Sequence, residues 1–276
     1  MEKDIKIIAF DLDYTLLDTE KRVSPANYAA LEKAAAMGIE TVPCTGRFFD
    51  AMPEAVKSLP FMRYAITING AMIVDARTRE SLYCAEISTR DALGFFSFLD
   101  GLPVLYDCYI GGKGYMTKAM YDRTPEVIAD KHALELVLAT RTTVPDLKAF
   151  IKEGGLKPQK LQMFTADREL RARLLEELPQ RFPSFAVTSS LPHNIEINDR
   201  ETDKGKALLR LASMLGCRPE QTMAFGDELN DFSMIEAAGT GIAMGNAHPE
   251  LKKIADYVTD DCDHDGVGKA IEKLLF

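Results

Sequence analysis

The chain has 276 residues, of which 46% are hydrophobic and 27% are charged, and its formal net charge is −9. This composition is typical of a soluble globular protein, and the excess of acidic residues argues against a nucleic-acid partner. No apolar run approaches the ~20 residues that a membrane-spanning helix needs, and the chain opens into a predicted strand rather than a signal peptide. We therefore expect a cytoplasmic protein without a membrane partner. Its five cysteines form no C-x-x-C pair, which argues against a disulfide framework or a zinc site.

The first predicted element is a buried strand over residues 5–10, which ends at Asp11 and Asp13 and is followed by Thr15. A short apolar run near a turn is typical of a strand covered on both faces, although periodicity alone also allows a buried helix. Because strand residues two apart point the same way, the two carboxylates start on one side, and their repulsion requires a proton or a bound cation. For this motif in isolation, a turn capped by Asp13 with a solvated Asp11 is the better interpretation, because short patterns of common residues recur by chance.

Helices and strands then alternate. We predict, in order, a helix over 26–37, a strand over 39–43, a helix over 48–58 that Pro53 interrupts, and a third apolar run over 64–68. The second strand is followed by Thr45 and Gly46, and the third by Asn69. This alternation predicts a parallel sheet with right-handed crossovers, in which Asp11, Thr45 and Asn69 lie along one edge.

The alternation breaks after Asn69. We predict a hairpin over residues 71–85, and between residues 87 and 190 helices mix with strands that are close in sequence. This pattern favours an α+β module inserted into the first sheet. No helix follows the glycine-rich turn at residues 111–114 directly, so a hairpin turn is a better interpretation than a phosphate-binding loop.

The parallel pattern is expected to return with a strand over 195–197, and Lys204 then precedes a helix over 206–215. A strand over 222–225 ends at a group of polar residues that includes Asp227, Asn230 and Asp231. Open α/β sheets bind ligands at the ends of their strands. Each polar residue alone has an ordinary explanation, such as a helix cap, a solvated charge or a turn, but together they supply the parts that phosphoryl transfer needs.

These polar residues belong to longer segments, which are, in chain order, D-L-D-Y-T, T-G-R, D-K-G-K-A-L, G-D-E-L-N-D and A-A-G-T-G-I-A-M-G-N-A. The order resembles that of the haloacid dehalogenase-like phosphohydrolases, specifically their Cof-type branch. The likeness covers both halves of the predicted parallel sheet, and the module between them has the size and position of that branch's large α/β cap. The resemblance implies an α/β fold with a doubly wound, Rossmann-like core over residues 1–84 and 190–276 and an inserted α/β cap domain over residues 85–189.

The resemblance also implies a mechanism with Mg²⁺ as cofactor. A phosphomonoester dianion repels a carboxylate nucleophile unless a cation is present, and Mg²⁺ prefers oxygen ligands. By resemblance, the metal ligands are the Asp11 carboxylate, the backbone carbonyl of Asp13, and Asp227. Asp11 is then the nucleophile that forms an aspartyl phosphate, while Asp13 protonates the leaving group and later deprotonates the attacking water.

Four residues are implied to bind the transferring phosphoryl group, namely Thr45, Gly46, Lys204 and Asn230. The Thr45 hydroxyl and the Lys204 ammonium group would stabilise its oxygens in the transition state. Asp231 is expected to support the site by orienting metal-bound water or Lys204.

Tyr14 departs from the family pattern, which commonly has glycine between the second aspartate and the threonine. A bulky residue with positive φ would be strained. We therefore expect Tyr14 to have negative φ and to pack on the core or line the entrance to the site.

The function that these residues predict is Mg²⁺-dependent hydrolysis of small phosphorylated metabolites, such as sugar phosphates or phosphorylated cofactors. A phosphosugar mutase on the same core and a non-catalytic sugar-phosphate sensor are the alternatives. The expected partner is a small metabolite, with no nucleic acid and no membrane, and the protein is expected to be a monomer or a small homo-oligomer.

Overall fold

The computed structural model describes residues 4–276. The strands are β1 (Ile7–Phe10), β2 (Glu40–Pro43), β3 (Tyr64–Thr67), β4 (Met72–Asp75), β5 (Ser81–Cys84), β6 (Leu105–Ile110), β7 (Lys113–Thr117), β8 (Arg141–Val144), β9 (Lys160–Phe164), β10 (Phe185–Thr188), β11 (Asn194–Asp199), β12 (Thr222–Gly226), β13 (Thr240–Ala243) and β14 (Tyr257–Val258). The helices are α1 (Pro25–Ala36), α2 (Glu54–Lys57), α3 (Thr89–Leu99), α4 (Lys118–Val127), α5 (Lys131–Thr140), α6 (Leu147–Glu153), α7 (Arg168–Arg181), α8 (Lys204–Met214), α9 (Phe232–Ala237), α10 (Pro249–Ile254) and α11 (Gly266–Leu275). Within the described residues, none of these helices combines the length and the apolar character needed to cross a membrane.

The chain forms two compact units. The core unit comprises the residues up to Tyr83 together with Asp203–Phe276, and the inserted unit comprises Cys84–Thr202. Each unit has its own cluster of buried apolar side chains.

The core unit contains a five-stranded parallel sheet in the order β14-β13-β12-β1-β2. Strand β1 lies between β12 and β2 and places Phe10 opposite both Phe225 of β12 and Pro43 of β2. The residues that follow these three strands therefore lie side by side. A parallel bridge between Cys44 and Ile66 sets β3 beside the end of β2, and β3 continues into a smaller sheet in the order β3-β4-β5. The parallel sheet predicted from the sequence is thus present.

Helices cover this sheet because its central strands are apolar on both faces. All four residues of β1 are buried, which is typical of parallel strands between helical layers. α1 packs against α11, while α9 packs against α8 and α10. Ser24 caps α1 by accepting a hydrogen bond from the backbone amide of Asn27, and Pro25 occupies the first helical position.

The inserted unit contains a six-stranded sheet in the order β10-β11-β9-β6-β7-β8. Its paired strands are antiparallel except for β7 and β8, which are parallel. The prediction that the strand near residues 195–197 resumes the parallel sheet is wrong, because these residues lie in β11, which pairs antiparallel with β9 and β10. A three-residue alternation identifies a strand but not the sheet that it joins.

The predicted helix over residues 48–58 is also wrong in extent. The chain instead makes a 3₁₀ turn at Phe49–Ala51 and then the short helix α2. Proline has no amide hydrogen and favours an extended conformation for the residue before it. Met52, which precedes Pro53, is accordingly extended and separates the two elements.

Two helical glycines provide a test of how closely α8 and α9 pack. A Cβ on Gly205 in α8 would lie 2.1 Å from the carbonyl oxygen of Ser233 in α9, whereas the described atom nearest to a Cβ on Gly94 in α3 would be a ring carbon of Phe182, at 3.9 Å. Alanine stabilises a helix interior by about 1 kcal/mol relative to glycine. We expect Gly94→Ala to stabilise the protein and Gly205→Ala to destabilise it by roughly 1–3 kcal/mol through overpacking, as measured by urea denaturation. Equal stabilities of the two variants would contradict this packing.

Candidate active site

The ends of neighbouring strands in the core unit bring three carboxylates together. Asp11 follows β1, Asp227 follows its parallel neighbour β12, and Asp231 lies in the next 3₁₀ turn, Leu229–Asp231. All three residues are buried, and one oxygen from each lies within 4.8 Å of the others. Buried carboxylates at this spacing repel one another, and a cation favours their ionised forms. This group, the carboxylate cluster, could therefore hold a metal ion.

Lys204 connects two members of the carboxylate cluster. Its Nζ lies 2.7 Å from Oδ1 of Asp11 and 2.6 Å from Oδ1 of Asp231, and its side chain is fully buried. The lysine is the first residue of α8, whose start Asp203 caps by accepting a hydrogen bond from the backbone amide of Lys206. Burial by itself would lower the pKa of Lys204, but Asp11 and Asp231 raise it above its ordinary value, so the lysine is charged.

The surroundings of Asp11 and Asp227 shift the pKa values of both carboxylates. Burial, together with the charges of Asp231 and Asp13, raises the pKa of Asp11 to about 7, although Lys204 acts in the opposite direction. Burial and the charges of Asp231 and Asp11 also raise the pKa of Asp227 well above its ordinary value. Without a further cation, the ionised cluster is therefore unfavourable near neutral pH.

Hydrogen bonds fix the orientations of the carboxylates. Oδ1 of Asp227 accepts a hydrogen bond of 2.8 Å from the Thr15 hydroxyl. Oδ2 of Asp231 accepts from the backbone amides of Asp227 and Glu228, at 3.0 and 3.1 Å. Since Oδ1 of Asp231 contacts Lys204, this aspartate holds both the strand end that carries Asp227 and the lysine. The contact with Lys204 is one of the two supporting roles expected for Asp231.

The carboxylate of Asp13 contacts cations of the surrounding loops. Arg47 binds it through two nitrogens, with Nε 2.9 Å from Oδ2 and Nη2 2.7 Å from Oδ1, and Nζ of Lys21 lies 3.0 Å from Oδ1. Burial would raise the pKa of Asp13, but Arg47 and Lys21 outweigh this effect and lower it to about 2. The carboxylate is therefore ionised at neutral pH and remains 31% exposed. That its backbone carbonyl binds metal stays a prediction.

The expectation of a negative φ at Tyr14 is wrong, because its φ is +61°. Two contacts hold this conformation. Nδ2 of Asn246 donates a hydrogen bond of 2.9 Å to the Tyr14 carbonyl oxygen, and Nζ of Lys21 lies 3.5 Å from the centre of the Tyr14 ring. Lys21 also has positive φ, at +60°. Tyr14 thus packs against the core, as expected, but in a left-handed conformation that costs about 1–2 kcal/mol.

The predicted phosphate-binding residues lie around the carboxylate cluster in the same unit. Thr45 is buried, and its hydroxyl accepts a hydrogen bond from the backbone amide of Arg47, the residue after Gly46. Nδ2 of Asn230 donates a hydrogen bond of 3.3 Å to Oδ1 of Asn69. A further hydrogen bond, from the backbone amide of Asn69 to the carbonyl oxygen of Thr45, connects the end of β3 with the end of β2.

Sequence reasoning did not identify two contacts of the site, that of Lys21 with Asp13 and that of Asn69 with Asn230. Lys21 lies in a polar turn with no motif, so no local signal identified it as a partner of Asp13. The Asn69 side chain was assigned to the correct sheet edge, but its contact with Asn230 joins residues that are 161 positions apart. Such contacts depend on tertiary packing and leave no pattern in a single sequence.

Comparison with known proteins identifies the family. Residues 8–271 match the sequence pattern of the haloacid dehalogenase-like hydrolases. The chain belongs to this family. The resemblance inferred from its sequence segments is therefore confirmed.

Relatives of this haloacid dehalogenase-like hydrolase match over nearly their whole lengths. The phosphatase YwpJ of Bacillus subtilis is 34% identical, with 98% of this chain and 100% of the relative covered. The 5-amino-6-(5-phospho-D-ribitylamino)uracil phosphatase YcsE of the same bacterium is 32% identical, with 97% and 95% covered. A solved haloacid dehalogenase-like hydrolase from B. subtilis superposes with a TM-score of 0.85 at 32% identity, covering 98% of this chain and 100% of the other. The predicted α/β fold class is thereby confirmed.

The raised pKa values predict how this hydrolase responds to divalent cations and pH. Between the ordinary aspartate pKa of 3.8 and the native value of about 7, folded Asp11 keeps a proton that the unfolded chain releases. The native state then binds more protons, so this group's contribution to the free energy of unfolding falls as pH rises through that interval. A cation that binds only the ionised carboxylate cluster should restore the lost free energy of unfolding. We expect MgCl2 to raise Tm more at about pH 7.5 than at about pH 5.5.

The measurement is thermal unfolding in EDTA and in MgCl2 at both pH values, with Asp227→Asn as the comparison. The substitution removes one charge of the carboxylate cluster, so the Mg²⁺-induced rise in Tm should shrink. An equal rise at the two pH values, or a larger one at the lower pH, would contradict cation binding by ionised carboxylates.

Proposed function

We propose that this haloacid dehalogenase-like hydrolase is a Mg²⁺-dependent phosphatase that hydrolyses small phosphomonoesters through a phosphorylated Asp11. The observation that carries the proposal is the contact between Lys204 and Asp11 inside the carboxylate cluster. It sets a potential carboxylate nucleophile beside a fixed positive charge, at the sheet edge where open α/β folds bind ligands. Both are required for attack on a phosphate dianion.

The carboxylate cluster fits a divalent metal ion. Its donors are all carboxylate oxygens, which Mg²⁺ prefers over nitrogen or sulfur ligands. When all three carboxylates are ionised, the ammonium group of Lys204 balances one of the three negative charges, and a divalent cation would balance the other two. In our proposal Asp11 and Asp227 hold the ion with the backbone carbonyl of Asp13. When bound, the ion would reduce the repulsion between the carboxylates and the substrate phosphate.

Asp11 serves as the nucleophile in this proposal. Its pKa of about 7 in the metal-free protein reflects burial and the neighbouring charges of Asp231 and Asp13, and Lys204 favours the ionised, nucleophilic form. Attack on phosphorus forms an acyl phosphate and releases the alcohol, which divides a difficult displacement into two easier steps. Lys204, the Thr45 hydroxyl, the backbone of Gly46 and Asn230 would bind the phosphoryl oxygens as charge moves onto them.

Asp13 is the proposed general acid and base. With a pKa of about 2 in the free protein it is ionised, which is the form that removes a proton from the water that hydrolyses the acyl phosphate. Proton donation in the first step requires the neutral form. A bound phosphate dianion competes for Arg47 and Lys21, and weaker pairing with these cations would raise the pKa of Asp13.

The proposed substrate class is a small phosphorylated metabolite. YcsE is named for a phosphorylated ribitylaminouracil, and YwpJ is named a phosphatase without a stated substrate. These names support hydrolysis over the mutase and sensor alternatives, and the products separate all three. A phosphatase releases inorganic phosphate, a mutase returns an isomerised phosphosugar, and a sensor binds without turnover.

The test is phosphate release from p-nitrophenyl phosphate and from a panel of sugar phosphates, in MgCl2 and in EDTA. We expect release only with Mg²⁺, and we expect Asp11→Asn to reduce kcat by more than about a thousandfold because the substitution removes the nucleophile at nearly constant size. Asp50→Asn is the matched control, since that aspartate is exposed and pairs with Arg79. Undiminished activity of Asp11→Asn would exclude the proposed nucleophile.

A further inference from the structure

The turn after β3 has an unusual backbone. Ile68, Asn69 and Gly70 have φ values of +55°, +54° and +93° in succession. Glycine adopts such values freely and asparagine tolerates them, but a β-branched isoleucine does so only under strain. Ile68 is fully buried. Strained conformations persist where the surrounding structure imposes them, and they concentrate at functional sites.

This turn contacts two of the segments that carry proposed phosphate-binding residues. The amide of Asn69 donates to the carbonyl oxygen of Thr45 at 3.0 Å, and the amide of Ile68 donates to that of Arg47 at 2.9 Å. On the other side, a Cβ on Gly70 would lie 2.3 Å from the carbonyl oxygen of Asp203, the residue that caps α8 directly before Lys204. The turn therefore holds the segment from Thr45 to Arg47 at a fixed distance from the start of α8.

The side chain of Asn69 contacts a third segment through Asn230. Oδ1 of Asn69 accepts a hydrogen bond of 3.3 Å from Nδ2 of Asn230, and the residues are 4% and 8% exposed, respectively. Among the described residues, Oδ1 of Asn230 has no hydrogen-bond partner although it is buried. A buried acceptor without a partner is unfavourable. The strained Ile68 therefore lies next to a residue, Asn69, whose partner Asn230 has a buried oxygen that accepts no hydrogen bond from the described residues.

We propose that Asn69 is a positioning residue that sets the orientation of the Asn230 carboxamide. A carboxamide has a donor and an acceptor end of similar shape, and its partner decides which end faces which way. Because Asn69 presents an acceptor, Nδ2 of Asn230 turns toward it and keeps a second N–H for a phosphoryl oxygen. Without Asn69 the carboxamide can rotate and present Oδ1, which repels that oxygen. This proposal rests on the phosphate-binding role assigned to Asn230 above.

The test is a double-mutant cycle on Asn69 and Asn230. Asn69→Gly removes the side chain while keeping a residue that adopts positive φ without strain, and its Tm, measured alongside, shows that the variant is folded at the assay temperature. We expect kcat/KM for p-nitrophenyl phosphate to fall about tenfold in Asn69→Gly, and inorganic phosphate to become a weaker competitive inhibitor by a similar factor. The double variant with Asn230→Ala should match Asn230→Ala alone to within about twofold, because Asn69 acts through Asn230.

Arg79→Gly is the matched control. Arg79 also has positive φ, at +66°, but it lies on an exposed turn of the core unit, so its replacement by glycine should leave the kinetics unchanged. The proposal would be overturned if kcat/KM of the double variant fell by the product of the two single-variant losses. It would also be overturned if Asn69→Gly left the kinetics and the inhibition by phosphate unchanged.

Calorimetric titration with inorganic phosphate in MgCl2 separates this inference from the proposed function. If the wild type releases no phosphate from any ester, the phosphatase proposal fails, while a tenfold higher phosphate Kd in Asn69→Gly still supports the role of Asn69. Equal Kd values for the two proteins, or no phosphate binding by the wild type, would refute the role of Asn69.

Discussion

The contact of one buried ammonium group with the carboxylate cluster is the interaction on which the rest of the site depends. Lys204 bonds to Asp11 and Asp231, and all three are buried. Removing these charges from water is costly, and only their mutual attraction and further hydrogen bonds offset that cost. One lysine cannot balance three carboxylates, as the raised pKa values of Asp11 and Asp227 show. The remaining negative charge is a local instability of the free protein that a bound divalent cation would relieve.

The fold assembles this interaction from distant parts of the sequence. Parallel pairing of β1 with β12 places Asp11 beside the strand end that carries Asp227, although more than 200 residues separate them. The close approach of α8 to α9 at Gly205 sets Lys204 near Asp231. Backbone strain at Tyr14 and Ile68 occurs at the same edge. A large buried core holds these conformations, so local preferences yield to the geometry of the site.

Much of the site could be predicted because polar residues at apolar strand ends mark a ligand-binding edge without knowledge of the structure. Asp11, Thr45 and Asp227 follow strands of the parallel sheet and fit this pattern, whereas the strand before Lys204 is β11, which belongs to the six-stranded sheet. The φ of Tyr14 could not be predicted, because it depends on contacts with Asn246 and Lys21. The partner strands of β11 were likewise misassigned, because alternation along one strand carries no information about its neighbours. Sequence patterns therefore predict element types and candidate residues here, while strand pairing and side-chain partners depend on tertiary packing.

The nucleophilic role of Asp11 is tested most directly by trapping the phosphorylated enzyme. Asp13→Asn lacks the base proposed to activate water, whereas p-nitrophenolate departs without protonation, so a phosphorylated intermediate should accumulate with p-nitrophenyl phosphate and Mg²⁺. The measurement is acid quenching followed by proteolysis and mass spectrometry of the peptides. We predict one phosphoryl group, on the peptide that contains Asp11 and assigned to that residue, and none in EDTA. If the wild type releases phosphate, two results would contradict a nucleophilic Asp11. One is a phosphoryl group on a different residue, and the other is the absence of any phosphorylated peptide from both the wild type and Asp13→Asn.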